Sequence, residues 1–467
     1  MDVLLTHGYF LQEDLKEQQI MKPYPPLGLL YLCSYLKSRG FAPEVFDSTF
    51  RSRDELYRLL QGHPPSVLGI YGNLLTRPAV VQTIQVAKAA GWRVVLGGPE
   101  PANYVEEYLQ AGADIVVMGE GERTLEDLLD WHHRGAVSDP AEIDGIAFRT
   151  CDGTVRWTKP RQLLPDLNRQ PWPDRAAIDL RRYLDTWRKF HGAGAVSLIT
   201  ARGCPYECRW CSHAVYGRTH RRRSPQDVAN EIAWLRVRYD PEMLWIADDV
   251  FTIHPGWLEQ YAREIRLRDL ALPFECITRA DRLTPRLVDL LTDLKCFRVW
   301  IGSESGSQRI LDRMHRGVKV EQVRKAVGLC KAAGIETGMF VMWGYEGEEP
   351  SDIEATVEHV RTSDPDVFLT TVAYPIKGTE YFDDVSASVV RPTSWQQSSD
   401  RDHRIRGRHS RKYYQFADQL LKSTVALSRA QSQSLGATPA GTLADLQQTI
   451  AQARAGMSAT RLEVETS

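Results

Sequence analysis

The sequence has little net charge and no long apolar run. Its 58 Lys and Arg residues nearly balance 60 Asp and Glu residues, so the formal net charge is -2 over 467 residues. Bulk charge therefore gives no reason to expect a nucleic-acid partner. No apolar run reaches the roughly 18 residues that a membrane span requires. The N-terminal Met1-Asp2-Val3-Leu4-Leu5 lacks the basic region and cleavage site of a signal peptide. We therefore expect a cytoplasmic protein with no membrane span.

Cysteine is scarce as well, and its distribution is uneven. Five of the 8 cysteines stand singly, mostly among apolar neighbours, as small buried core residues usually do. These five are Cys33, Cys151, Cys276, Cys296 and Cys330. The remaining three, Cys204, Cys208 and Cys211, lie within one short stretch and need a separate explanation.

Residues 1–140 alternate short apolar runs with helical segments. Near-continuous apolar runs of this length are typical of strands that are buried on both faces of a parallel sheet. Five such βα units in series predict an open, doubly wound α/β domain of flavodoxin or Rossmann type. Ligands of these sheets bind beyond the carboxyl ends of the strands. The predicted strands are Asp2–Thr6, Pro43–Asp47, Val67–Tyr71, Arg93–Gly97 and Asp114–Met118.

Three further regions follow. Residues 141–190 predict a connector with a β-hairpin around Asp152-Gly153, and several prolines end it. Residues 191–380 contain six more βα repeats, which predict a partial barrel of the TIM type, (β/α)6 rather than (β/α)8. Residues 381–467 predict a C-terminal extension that is partly helical and partly flexible. Its polar, basic segment at 391–412 is expected to be a loop or a flexible segment.

The three clustered cysteines directly follow the first strand of the predicted barrel, at the rim where such barrels build active sites. Their spacing is Cys-x3-Cys-x2-Cys. Three thiolates on one loop are able to hold three corners of a 4Fe–4S cluster and leave the fourth iron open to another ligand. The alternative is a zinc site, for which His213 is a nearby fourth ligand.

The loop from Ala201 to Cys211, with Trp210 before the third cysteine, resembles the radical S-adenosylmethionine (SAM) signature. The first domain resembles the cobalamin-binding domain that precedes the barrel in one subclass of that family. The matching stretches are Tyr24–Leu30, Leu96–Glu100 and Met118–Glu122. The combined resemblance covers about residues 1–380. It implies three cofactors, namely a 4Fe–4S cluster on Cys204, Cys208 and Cys211, SAM, and cobalamin.

The resemblance also implies residues that bind the two organic cofactors. Asp248 and Asp249 end one barrel strand, and Ser303 and Glu304 end another, so their side chains are expected to contact SAM. The SAM-binding set further includes Tyr206, Trp210 and Arg223. The expected cobalamin-binding residues are His7, Asn73, Gly97, Gly98, Pro99, Gly119, Glu120 and Gly121. Glycines at the sheet edge would admit a large ligand.

One departure concerns the cobalt ligand. Cobalamin domains that carry methyl groups use an Asp-x-His-x-x-Gly loop, which this sequence lacks. His7 is the only histidine at a first-strand end, and Glu100 stands where relatives commonly have histidine. We therefore expect cobalamin to bind without a histidine ligand from the protein. The alternative is a degenerate flavodoxin-like domain that only positions substrate.

The resemblance favours an enzyme that methylates an unactivated carbon of a small-molecule substrate. In the family, SAM yields a radical that abstracts a substrate hydrogen, and methylcobalamin delivers the methyl group. An electron donor such as a flavodoxin or ferredoxin is expected as a partner. A ring-forming enzyme like the anaerobic tetrapyrrole cyclases is an alternative within this class. A zinc- or cobalamin-binding sensor is the alternative outside enzymes.

Overall fold

The computed structural model describes residues 1–136, 139–391, 393–432 and 440–465. The chain separates into two compact units. The first comprises Met1–Pro205, Ser212–Asp248 and Thr393–Arg401, and the second comprises Tyr206–Cys211, Asp249–Pro392 and Asp402–Ser467. None of the helices within the described ranges is long and apolar enough to cross a bilayer.

The first unit contains a seven-stranded sheet with the order β2-β1-β3-β4-β5-β6-β7. The first five strands in this order are parallel, and β6 and β7 add to the edge in antiparallel fashion. The order 2-1-3-4-5 is that of flavodoxin-like sheets, so the predicted doubly wound domain is confirmed. The strands are β1 (Val3–His7), β2 (Pro43–Phe46), β3 (Val67–Tyr71), β4 (Arg93–Gly97), β5 (Ile115–Val117), β6 (Ile146–Arg149) and β7 (Val155–Trp157).

Alternation along the strands builds two apolar layers, one on each face of this sheet. In β1, Leu4 packs with helices α3 to α5, whereas Val3 and Leu5 pack with α2 and α6. The helices of the first unit are α1 (Leu15–Ile20), α2 (Leu27–Ser38), α3 (Arg53–Gly62), α4 (Arg77–Ala89), α5 (Val105–Gln110), α6 (Glu122–His133), α7 (Leu180–His191) and α8 (Pro225–Tyr239).

The predicted hairpin is present, but it belongs to the first sheet. β6 pairs with β5, and β7 pairs with β6, so residues 146–157 continue the sheet of the first unit. The described part of this region is therefore more than a connector. The domain limits at 140, 190 and 380 remain proposals.

The first unit also contains the start of the second βα series. β8 (Ala195–Leu198) pairs in parallel with β11 (Met243–Ile246). β9 (Ala201–Arg202) pairs in antiparallel fashion with β10 (Arg221–Arg222). The latter pair stands at the two ends of the segment that contains the cysteines.

The second unit continues this series with four parallel strands in the order β15-β14-β13-β12. Together with β8 and β11 they give the six strands predicted for an incomplete barrel, fewer than the eight of a complete one. The elements are α9 (Pro255–Leu267), β12 (Phe274–Thr278), α10 (Pro285–Asp293), β13 (Cys296–Glu304), α11 (Gln308–Arg313), α12 (Val320–Ala332), β14 (Glu336–Trp343), α13 (Pro350–Ser363) and β15 (Val367–Val372).

The C-terminal part of the chain is partly helical, as predicted. Its elements are α14 (Glu380–Val385), β16 (Val389–Val390), β17 (Arg404–Ile405), α15 (Arg411–Ser432) and α16 (Ala440–Thr460). The described part of the basic segment is mostly loop, as expected, and contains the two-residue strand β17, which pairs with β16. Arg408 of this segment forms a buried ion pair with Glu465, Nη2 to Oε2 at 2.9 Å.

Candidate functional site

The cysteine loop begins at a glycine that lies close to the other end of the same loop. Gly203 has a φ of 87°, and a Cβ atom there would overlap the carbonyl oxygen of Thr219. Only glycine is therefore compatible with this backbone approach. The next residue, Cys204, is half-buried and belongs to the first unit.

Cys208 and Cys211 belong to the second unit, where Cys208 is buried and Cys211 is exposed. The described part of the chain contains no preassembled group of three His, Cys, Asp or Glu side chains in a metal-binding arrangement. The assignment of all three cysteines as cluster ligands therefore stays a prediction from their spacing.

Two guanidinium groups lie next to the Cys208 sulfur. Arg279 Nη1 is 4.0 Å from Sγ and Arg316 Nη1 is 3.9 Å from it. A hydrogen bond with Cys211 and these two positive charges outweigh burial and lower the pKa of the Cys208 thiol to about 6. The thiolate is the form that binds metals. The surroundings of Cys208 therefore suit a cluster ligand.

Tyr206 and Trp210, both expected to contact SAM, hold the loop in place. The Tyr206 ring lies against Arg279, with 3.7 Å from the guanidinium carbon to the ring centroid. Its hydroxyl accepts a 2.6 Å hydrogen bond from Arg282 Nε. Trp210 packs against the apolar cluster that contains Met342.

Glu304 ends β13 in an unusual backbone conformation. Its φ is 62°, and the pairing of β13 with β14 shifts register between Gly302 and Glu304. The side chain is buried, and burial raises the pKa of its carboxyl to about 7, although nearby Arg316 opposes the shift. Its Oε1 is 3.9 Å from Arg316 Nε. The structure thus brings a predicted SAM-binding carboxyl and a predicted cluster ligand to the same guanidinium.

Ser303 contacts the helix layer instead. His359, on α13, is buried, and burial and Arg324 lower its pKa to about 4, so the ring is neutral. Arg324 Nε donates to His359 Nδ1 at 3.2 Å, which leaves the proton on Nε2 to donate to Ser303 Oγ at 3.0 Å. These contacts give the Ser303 side chain a structural role. We therefore do not retain it among the proposed SAM ligands.

The two neighbouring aspartates after β11 have different environments. Asp248 is buried, and its Oδ1 accepts hydrogen bonds from the backbone N–H groups of Thr200, at 2.6 Å, and Ala201, at 3.0 Å. Its Oδ2 accepts from the Thr200 hydroxyl and lies 3.2 Å from Arg222 Nη2. Asp248 thus fixes the backbone just before the cysteine loop. Asp249 is exposed and remains a proposed SAM ligand.

Arg223 also has a structural role. Its buried guanidinium donates to the Glu231 carboxylate, to Asp227 Oδ2 at 2.6 Å, and to the carbonyl oxygen of Ile199 at 3.0 Å. Two carboxylates and one carbonyl therefore compensate its burial. We therefore do not propose Arg223 as a SAM ligand.

Glu120, expected to contact cobalamin, joins the first sheet to the ends of the cysteine loop. Its carboxylate accepts from Arg202 and Arg221, each at 2.8 Å, and from the backbone N–H of Leu164 at 2.7 Å. Arg202 and Arg221 belong to the β9–β10 pair. With three partners and little exposure, Glu120 positions this loop rather than contacting a ligand.

The glycines of the expected cobalamin site differ in what they allow. Gly98 has a φ of 111°, and a Cβ atom there would overlap the Gly72 carbonyl, so this glycine serves packing within the sheet. Gly97 and Gly119 have more room, since their nearest atoms would lie 3.9 Å and 3.6 Å from a Cβ. The partly exposed residues of this edge are Gly97, Gly98, Pro99, Gly119 and Gly121.

His7 and Asn73 both form hydrogen bonds within the first unit. His7 is buried, with Nε2 at 3.1 Å from Asp47 Oδ1 and Nδ1 at 3.2 Å from the Tyr9 backbone nitrogen. Asn73 Oδ1 accepts from the backbone N–H of Leu75 at 3.0 Å. Because protein groups contact both ring nitrogens of His7, the side chain is poorly placed to bind cobalt.

Arg279 and Arg316 were not among the site residues predicted from the sequence. Arg279 follows the last residue of β12 directly, which is the strand-end position that identified the aspartates and Glu304. Arg316 lies just before Gly317, whose φ is 63°, in a turn that no motif indicated. The strand-end position could therefore have identified Arg279 from the sequence, whereas the position of Arg316 is seen only in the tertiary structure.

Two family models match the chain, one in its N-terminal part and one in the predicted barrel region. The B12 binding domain matches residues 19–129, and the Radical SAM superfamily matches residues 198–360. An uncharacterised methyltransferase of Pyrococcus horikoshii is 27% identical over 404 residues, which are 82% of this chain and 84% of the relative. The anaerobic magnesium-protoporphyrin IX monomethyl ester cyclase of Rubrivivax gelatinosus is 26% identical over 381 residues, 79% of this chain and 68% of the relative.

Solved structures agree with the fold. The radical SAM methyltransferase TsrM from Kitasatospora setae superposes with a TM-score of 0.68 at 21% identity, over 84% of this chain and 76% of that chain. The cobalamin-dependent SAM radical enzyme OxsB reaches a TM-score of 0.71 at 17% identity, over 98% of this chain and 72% of that chain. At these identities the two matches establish the fold.

The incomplete barrel and its three-cysteine loop define a radical SAM enzyme. Because a B12 binding domain precedes the barrel, the chain belongs to the cobalamin-dependent members of the radical SAM superfamily. The cofactors predicted from the sequence, a 4Fe–4S cluster, SAM and cobalamin, are the cofactors of these two domain families. The predicted fold class and family are thereby confirmed.

Proposed function

We propose that this enzyme methylates an unactivated carbon of a small-molecule substrate, with Cys204, Cys208 and Cys211 as ligands of the 4Fe–4S cluster. The observation that carries the proposal is the arrangement around Arg316. This side chain lies 3.9 Å from the sulfur of Cys208 and 3.9 Å from the carboxyl of Glu304. A cluster ligand and a SAM-binding carboxyl that share one guanidinium suit a single cofactor site.

Within this site, Glu304 and Asp249 hold SAM. Both stand at or just beyond the carboxyl end of a strand, Glu304 buried and Asp249 exposed. A carboxylate of either kind suits the ammonium or the ribose hydroxyls of SAM. When bound, the cluster and SAM supply a 5′-deoxyadenosyl radical, and cobalamin carries the methyl group.

The first domain holds cobalamin at the carboxyl edge of its parallel strands, along Gly97, Pro99 and Gly119. The support is the confirmed flavodoxin-like sheet, since such sheets bind ligands at this edge. At Gly97 and Gly119 no atom would lie closer than 3.6 Å to an added Cβ, so neither glycine is required by a close protein contact. The protein backbone at this edge contacts cobalamin. His7 does not bind cobalt, because its ring nitrogens already contact Asp47 and Tyr9.

Methylation is preferred over ring formation because methyltransferases recur among the relatives. They include the uncharacterised methyltransferase of Pyrococcus horikoshii and cytidylyl-2-hydroxyethylphosphonate methyltransferase of Streptomyces wedmorensis. Ring formation is the second candidate, favoured by the likeness to the cyclase of Rubrivivax gelatinosus. The mass of the product separates the two, since a transferred methyl group adds carbon and a cyclisation does not.

The reaction also requires a low-potential electron donor. A flavodoxin or ferredoxin in the cytoplasm fits this need, because ferredoxin clusters have low reduction potentials. Retention of the reconstituted enzyme on an immobilised flavodoxin, with an electron transfer rate that saturates, would support this part of the proposal.

Anaerobic purification and reconstitution test the proposed function. About four irons and four sulfides per chain are expected, and the Cys204→Ala, Cys208→Ala and Cys211→Ala variants should each lose SAM cleavage. Cys151→Ala is the matched control, because Cys151 is an exposed cysteine in the hairpin between β6 and β7. Stoichiometric zinc without sulfide in the wild type would contradict the proposal.

SAM with a deuterated methyl group tests the outcome of the reaction. A candidate substrate should gain the labelled methyl group, and the protein should retain one cobalamin after removal of excess cofactor. A product that has lost hydrogen without gaining label would favour the cyclase-like alternative instead.

A further inference from the structure

Two arginines that no motif predicted lie next to one proposed cluster ligand. Arg279 Nη1 and Arg316 Nη1 are 4.0 Å and 3.9 Å from the sulfur of Cys208. Both guanidiniums are buried, at 3% and 6% exposure for the whole residues. All three residues belong to the second unit. Each guanidinium therefore lies within reach of a charge-assisted hydrogen bond to the thiolate.

Backbone carbonyls fix the direction of both guanidiniums. Arg279 Nη2 donates to the carbonyl oxygen of Arg316 at 2.9 Å, and Arg316 Nη2 donates to that of Gly302 at 2.8 Å. A Cβ atom at Gly302 would lie 2.6 Å from Arg316 Nη2. The absence of a side chain at Gly302 therefore makes room for Arg316. Tyr206 stacks on the face of Arg279 and restricts it further.

The positive charge at this point exceeds what nearby carboxylates compensate. Arg279 Nε donates to Asp281 Oδ1 at 2.9 Å. Arg316, in contrast, has Glu304 only at 3.9 Å, and its Nε has no hydrogen-bond partner among the described residues. A buried cation without a close anion is costly. A thiolate-ligated cluster at Cys208 supplies the negative charge that this arrangement lacks.

We propose that Arg279 and Arg316 are positioning residues that hold two positive charges at the Cys208 ligand and so raise the reduction potential of the cluster. This inference rests on the proposed function, since it requires Cys208 to be a cluster ligand. Reduction adds one electron, and thus one negative charge, to the cluster. Nearby positive charge stabilises the reduced form more than the oxidised form, and it does so strongly where water is excluded.

The test is a redox titration of the reconstituted enzyme without SAM, with dithionite as reductant and the EPR signal of the reduced cluster as readout. The midpoint potential should shift to more negative values in Arg279→Gln and in Arg316→Gln, and further in the double variant. Arg316→Lys keeps the charge, so its midpoint potential should stay close to that of the wild type. Arg282→Gln is the matched control, because Arg282 contacts the Tyr206 hydroxyl and not the sulfur.

Each outcome decides between the roles. An unchanged midpoint potential in both glutamine variants at full iron content overturns the inference. If these variants also bind SAM more weakly, the arginines are instead ligands of the SAM carboxylate. An equal shift in Arg282→Gln also overturns it. If the glutamine variants lose iron while Arg316→Lys retains it, the role of charge is supported. If Arg316→Lys also loses iron, the arginines contribute packing alone. A wild-type protein without iron and sulfide would instead contradict the proposed function.

Discussion

Arg202 and Glu120 form a buried ion pair, with 2.8 Å between Nη1 and Oε1, that connects two motifs separated by much of the first unit. Arg202 lies two residues before Cys204, at the start of the cysteine loop. Glu120 lies in the loop after β5, at the edge of the sheet where we propose that cobalamin binds. The ion pair thus connects the start of the cysteine loop to the loop that follows β5.

Breaking this pair should destabilise the enzyme strongly. Glu120→Gln leaves Arg221 without this carboxylate and leaves Arg202 with Glu122 as its remaining carboxylate partner. Loss of one partner of a buried pair typically costs about 3–5 kcal/mol. Denaturant unfolding followed by circular dichroism measures the loss. The control is Asp139→Asn, which removes the exposed partner of Arg156 and should change stability by about 0–1 kcal/mol. Equal losses in the two variants would contradict the structural role of Glu120.

The two aspartates after β11 should respond differently to the same change. Asp249→Asn should weaken SAM binding by about 1.5–3 kcal/mol, because it removes a charged hydrogen bond to the cofactor. Asp248→Asn should instead lower stability, since its carboxylate accepts from Thr200 and Ala201 at the base of the cysteine loop. Calorimetric titration with SAM and thermal unfolding separate the two effects. Identical profiles for the two variants would refute the distinction.

Glu348 should make stability depend on pH. Burial raises the pKa of its carboxyl to about 8, with Asp352 adding to the shift and Arg408 and Arg309 opposing it. Its Oε2 accepts from the Gly344 N–H at 2.6 Å, while Oε1 has no partner among the described residues.

A carboxyl whose folded-state pKa is raised stabilises the fold while it is protonated, and this contribution is lost as the pH rises through about 8. The midpoint of thermal unfolding should therefore fall between pH 5 and pH 9, roughly the interval that spans the two pKa values. Glu348→Gln, which stays neutral, should reduce this fall and be the more stable protein at pH 9. If wild type and variant have parallel pH profiles, Glu348 is ionised throughout.

Cobalamin should bind without a histidine ligand from the protein. The nitrogen splitting in the EPR spectrum of bound cob(II)alamin should be the same in the wild type and in His7→Ala, because His7 contacts Asp47 and Tyr9. The variant should nevertheless be less stable, since it leaves the half-buried Asp47 without one partner. Splitting that disappears only in His7→Ala would identify His7 as the ligand, and absence of retained cobalamin would refute the domain assignment.

Local sequence determined most of the architecture. Apolar runs with a strand-like length predicted β1 to β5 and the six strands of the barrel series, because burial on both faces of a parallel sheet requires such runs. The spacing of Cys204, Cys208 and Cys211 predicted the iron–sulfur loop, and this loop lies within the Radical SAM superfamily match at residues 198–360.

Only the tertiary structure distinguished the two neighbours in each of two pairs of adjacent residues. Ser303 and Glu304 are adjacent at a strand end, as are Asp248 and Asp249, and the sequence offered all four as ligands. A shift in register at Gly302 and a φ of 62° at Glu304 set the direction of one pair, which no residue pattern encodes. Arg316 likewise reaches Cys208 only because the turn before Gly317 brings it there. Strand-end positions follow from local burial patterns, whereas side-chain partners depend on contacts between residues that are far apart in the chain.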